Sequence, residues 1–175
     1  ELVKTKTLSP GQMTLAELLY ETSTPEIDLP KITQIFERDV NLSYKLLRYT
    51  NSAAFKRRTE ISTIKQALVV LGKYELKKFL SLLFTAAVSG DKPVELLKMA
   101  MVRARFCENL ASLKDGADAS MAFLTGMMSL IDAILDQDIE KVMEQLPLSA
   151  EIKDALIKQQ GPLAEYLQLA IAYEK

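Results

Sequence analysis

From Asp28 to Tyr173 the apolar residues recur three and four positions apart, and nowhere do they alternate over a run bounded by turn residues. That spacing predicts helices and argues against a sheet. Cap and break signals fence the periodic segments. Met13–Tyr20 is a short amphipathic helix, and Ser23–Asp28 a turn. Asp28, with Pro30 in the first turn, opens a helix reaching Arg38 on Ile32, Ile35 and Phe36. Asn41 is the next cap, and Asn51 closes that helix because asparagine tolerates the left-handed conformation. Ser62 caps a helix that Gly72 stops, and Tyr74–Ser89 follows. Gly90-Asp91-Lys92-Pro93 is the clearest internal boundary. Beyond it come a long helix from Pro93 to about Lys114 and one from Asp118 to Leu135. Shorter helices then run over Asp138–Leu146, from Ser149, and from Gly161-Pro162 to Tyr173. The expected fold is all-α, a compact array of about ten short helices.

Composition narrows the chemistry. The chain has no histidine, which removes the commonest general base and the commonest metal ligand together. Glycines are scattered singly, so there is no phosphate-cradling loop. The single cysteine, Cys107, rules out an internal disulfide and fits a cytoplasmic setting. The longest apolar run, Leu80–Val88, contains Ser81 and Thr85 and is too short to span a bilayer. Glu1–Gln12 is polar and broken at Ser9-Pro10-Gly11, and reads as a linker or the tail of a preceding domain.

Charge is unevenly spread. Lys45 to Lys78 carries a net +7 in a chain whose total is −1. Lys45, Arg48, Lys65, Lys77 and Lys78 read as outward positions of amphipathic helices. Phe55-Lys56-Arg57-Arg58 is concentrated enough to be an interaction surface. Asp132–Asp154 carries a net −5, and the overall pI near 5.7 argues against direct nucleic-acid binding. Asp132, Asp136 and Glu140 would share one face of an unbroken helix, but Asp138 reads as the cap of a new one. Arg103 and Arg105 point to different faces of one helix, where a salt bridge to Glu108 or to an acid of the carboxy-terminal half is the expected use. The methionines, Met99, Met101, Met127 and Met128 among them, read as core filler.

DVNLSYKLLRYTNSAAF followed by ISTIKQALVVLG, within Asp39–Gly72, resembles the signature of HDOD domains. These are catalytically silent relatives of the HD and HD-GYP metal phosphohydrolases. The resemblance runs from about Thr14 to Tyr173. It implies an amino-terminal helical part over 13–90 and an HD-like part over 93–175. FLTGMMSLIDAIL and EQLPLS are similar to the branch in which such a domain follows an EAL domain of cyclic-di-GMP signalling. The comparison places Met99 where an active HD enzyme has its first histidine, and Ser129 and Leu130 where it has a His-Asp pair. Methionine, serine and leucine do not build a dinuclear centre, so no catalytic residue, metal or cofactor is expected. Asn51 and Ser52 fall in the family's most recognisable motif, and a structural role suffices for them.

The expectation is a non-enzymatic, cytoplasmic signal-transduction module that docks to an attached EAL-type domain, to another copy of itself, or to a separate signalling partner. The runner-up is a residual HD-type phosphohydrolase, or a nucleotide-binding domain on the Lys45–Lys78 surface.

Overall fold

The computed structural model describes residues 8–53, 55, 58–146 and 148–175. Among these there are ten helices and no strand. In order they are α1 Pro10–Ser23, α2 Leu29–Glu37, α3 Val40–Thr50, α4 Ile64–Ser89, α5 Val94–Ser112, α6 Ala119–Met128, α7 Ile131–Leu135, α8 Ile139–Gln145, α9 Ala150–Ile157 and α10 Pro162–Tyr173. The all-α expectation holds.

Local chemistry sets the helix ends. Ser9-Pro10-Gly11 begins α1 rather than breaking the chain. The Ser9 hydroxyl accepts from the Gln12 N–H, the Gln12 side chain accepts from the Ser9 N–H, and Pro10 sits where its missing N–H costs nothing. Asp28, Asp118 and Ser149 cap α2, α6 and α9 as expected. Two caps shift. Asp39, not Asn41, accepts from Leu42 N–H at the start of α3, and Thr63, not Ser62, accepts from Gln66 N–H at the start of α4. Gly72, at φ 72° and ψ 169°, breaks α4 into two arms where the sequence expected a stop. The helix expected from Asp118 to Leu135 is interrupted at Ser129-Leu130, which separates α6 from α7.

α4 is the spine. It packs against α1, α2 and α3 on the amino-terminal side and against α5, α6 and α7 beyond Gly90. One apolar core therefore crosses the Gly90–Pro93 boundary, from Leu15 and Phe36 through Phe84 to Ile134 and Ala170. The tightest pairing is α5 on α6. There Ala100 and Ala104 face Phe123 and Met127, and Gly126 lies against the α5 backbone. Met127 and Met128 are core filler as expected, whereas Met99 and Met101 are exposed. Burial pushes the Cys107 thiol up to about 12, so it stays protonated and unreactive. No helix among the described residues is long and apolar enough to cross a membrane.

Candidate functional site

The motif at the end of α3 is a built junction. Asn51 is not left-handed; it sits at φ −89° and ψ 1°. Its side chain closes the following loop instead. Asn51 Nδ2 donates to the Ile61 carbonyl and Ile61 N–H donates to Asn51 Oδ1, both at 2.8 Å. One amide thus copies a pair of ladder hydrogen bonds across ten residues. Ser52 N–H donates to the Tyr49 carbonyl, and Phe55 N–H donates to the Ser52 carbonyl. Phe55 is half-buried, edge-on to Tyr49 at 5.2 Å, and Tyr49 stacks on Phe79 at 4.7 Å. Asn51, Ser52, Phe55, Arg58 and Glu60 line an open depression of about 660 Å³. Of the expected interaction surface, Phe55 is an anchor with one edge exposed and Arg58 is exposed; Lys56 and Arg57 lie outside the described residues.

Asn51→Ala should therefore destabilise the chain by about 1–3 kcal/mol, because the Ile61 N–H and C=O lose their partners together. Asn51→Asp should cost at least as much, since a carboxylate has no donor for the carbonyl. Urea unfolding measures this; an unchanged midpoint would leave Asn51 free for a ligand.

The basic stretch is not uniformly outward. Lys45, Arg48 and Lys65 are exposed as expected. Lys77 is only 3% exposed, and its ammonium reaches Asp118 at 3.9 Å. Burial lowers its pKa, with Asp118 opposing. Lys78 turns inward to Glu108 at 2.9 Å, over the rings of Tyr74 and Phe123. Glu108 is 3% exposed and accepts from Tyr74 Oη, from Lys78 and from Arg105. Burial alone would raise its pKa, but these three donors outweigh it and hold the carboxyl below the usual range. So Arg105 finds the acid the sequence offered it, and Glu108 joins both arms of a charge network between α4 and α5. The part played by Tyr74 and Lys78 carried no sequence signal.

The third place is the break between α6 and α7. Ser129 and Leu130 are both half-buried there, while Met99 on α5 is 39% exposed. One turn after Met99, the Arg103 guanidinium fills the space beside Ser129. Its NH1 donates to Ser129 Oγ at 3.3 Å, and Nε and NH2 donate to the two oxygens of Glu174 at 2.8 and 2.9 Å. Ser129 Oγ donates onward to the Gly126 carbonyl at 2.7 Å. A fixed cation with its own bidentate carboxylate partner does not suit a pair of metal dications. The acids nearby do not assemble either. Asp136 adopts the left-handed conformation, φ 54°, which ends α7 and turns Glu140 onto the separate helix α8. Asp136 is also paired with Lys92 at 2.6 Å. Among the described residues no three His, Cys, Asp or Glu side chains are grouped to hold a metal ion.

Comparison with known proteins places the chain in a family. The HDOD domain model matches residues 9–157. The cyclic di-GMP phosphodiesterase CdgJ of Vibrio cholerae is 39% identical over 176 residues, covering 100% of this chain and 41% of that protein. The uncharacterized protein YuxH of Bacillus subtilis is 33% identical over 156 residues, covering 87% of this chain and 38% of that protein. The chain thus spans about two fifths of the length of these relatives. No solved structure is matched. The match across the α3–α4 junction and on through α9 shows that this chain belongs to the HDOD domain family.

Proposed function

We propose that this HDOD chain is a non-enzymatic regulatory module of cyclic-di-GMP signalling that acts by docking, foremost to an EAL-type domain. The observation that carries this reading is Arg103. Its guanidinium stands against Ser129, the position the family resemblance assigns to the lost His-Asp pair, and Glu174 already neutralises it. What remains is a rigid helical shell with a distinctive loop. The Asn51–Ile61 clamp and the Phe55–Tyr49–Phe79 ring stack hold Phe55 at the surface, and Arg58 is exposed three residues on. The basic run Lys56-Arg57-Arg58 in the sequence suits an acidic face on a partner, and such charge contributes most to partner choice and on-rate. The relative named as a cyclic di-GMP phosphodiesterase is more than twice this chain's length, which leaves room for a catalytic unit beside the matched part.

Binding to an EAL-type phosphodiesterase domain supplied in trans tests the reading. Arg57→Glu with Arg58→Glu should weaken the complex tenfold or more at low salt, with circular dichroism unchanged. Equal binding by the double variant, or none by the wild type, would overturn it.

A further inference from the structure

A cleft of about 550 Å³ opens between α7, α9 and α10, on the outer side of Ser129. Its walls are largely apolar, with Leu156, Leu167 and Ile171 among them, and its polar groups are Ser129, Asp132, Gln159, Gln168 and Lys175. Asp132 stands apart among them. Asp132 is half-buried, yet its carboxylate has no hydrogen bond or ion pair among the described residues, whereas Asp118, Asp136 and Asp154 each meet a lysine. The Gln159 and Gln168 amides are exposed at its edge and reach no partner among the described residues. Gln159 also holds a left-handed φ of 54°, which strains any residue but glycine, asparagine or aspartate. That conformation closes α9, where the Lys158 and Gln160 N–H groups both donate to the Asp154 carbonyl.

We infer that this cleft binds a flat group carrying two adjacent N–H donors, with the Asp132 carboxylate accepting both. A carboxylate is geometrically matched to such a pair. An amide offers both a donor and an acceptor, so Gln159 and Gln168 suit the mixed edge of a heterocycle. Leu156, Leu167 and Ile171 suit its faces. Lys175 on the rim offsets the charge of Asp132, so charge alone does not select the ligand. Guanine has this edge, and so does a guanidino compound; adenine presents only one exocyclic donor beside an acceptor.

Saturation-transfer NMR on the intact chain with guanosine, agmatine and adenosine tests the site. Guanosine or agmatine should bind at least tenfold more tightly than adenosine, and which of the two binds names the source of the N–H pair. Asp132→Asn should weaken that binding about tenfold or more. It should not disturb folding, because the Asp132 side chain has no partner among the described residues to lose. Arg58→Glu, in the docking loop, should leave binding unchanged, so this result is independent of the docking result. Adenosine binding as tightly as the better of guanosine and agmatine, binding of neither guanosine nor agmatine, or unaltered affinity in Asp132→Asn would overturn the inference.

Discussion

Replacing Gly126 by alanine should cost about 3 kcal/mol or more and lower the melting temperature by roughly 6–12 °C in a chain of this size. In a free helix the same change stabilises by about 1 kcal/mol, because alanine is the better helix former. Packing reverses the sign here. A Cβ on Gly126 would lie 2.6 Å from Ala104 Cα and N and 2.7 Å from the Arg103 carbonyl carbon. All three are backbone atoms, so no side-chain rotation relieves the contact; α5 and α6 must separate. That separation would also pull Arg103 away from Ser129. Gly11 is the control. It lies in the first turn of α1 with nothing within 4 Å of an added Cβ, so Gly11→Ala should leave stability unchanged or slightly raised. Thermal unfolding by circular dichroism reads both. An unchanged melting temperature in Gly126→Ala would mean that the two helices are not in backbone contact.

Glu108→Ala should cost about 1–3 kcal/mol, because it leaves the Tyr74 hydroxyl and the half-buried Lys78 ammonium without their shared acceptor, although Glu75 stays 3.7 Å from Lys78. Glu108→Gln should cost less, since the amide oxygen still accepts. The pH dependence identifies the cause. The folded pKa of Glu108 is depressed, so its ionic contribution is full above the ordinary glutamate value of about 4.3 and is lost as pH falls through the lower folded value. Urea midpoints of wild type and Glu108→Gln should therefore differ by a constant amount between about pH 6 and 8 and converge as pH falls through the depressed folded value. A gap that persists in acid would mean that shape, not charge, makes Glu108 matter.

How far the sequence could be read depends on how local the deciding interaction is. Asp28, Asp118 and Ser149 were legible as caps because each stands alone before an apolar-periodic run. Asp39 and Asn41, or Ser62 and Thr63, are neighbouring residues of nearly equal capping strength, so local chemistry does not decide between them. The Asn51 clamp needed a partner ten residues away, and the Glu108 network needed two helices brought together. Lys77 and Lys78 were placed outward because charge usually is, but helix register turns them inward. The shared face of Asp132, Asp136 and Glu140 dissolves at Asp136, since aspartate is one of the few residues that enters the left-handed region readily. Gly126 gave no signal of its own, because a glycine inside an apolar helix announces close approach only once the facing helix is known. The absent histidines were legible at once, whereas the assignment of Met99, Ser129 and Leu130 to lost ligand positions rests on the family resemblance alone. The pairing of Arg103 with an acid of the carboxy-terminal half was expected and falls to Glu174, but its place beside Ser129 was not legible, because Arg103 and Ser129 lie 26 residues apart, on α5 and at the end of α6.

The most direct test of a regulatory rather than catalytic module is metal analysis of the purified chain combined with an assay of cyclic-di-GMP hydrolysis. The account predicts no stoichiometric manganese or iron, and no turnover when either metal is added. Stoichiometric metal, together with turnover that Asp132→Ala abolishes, would contradict it.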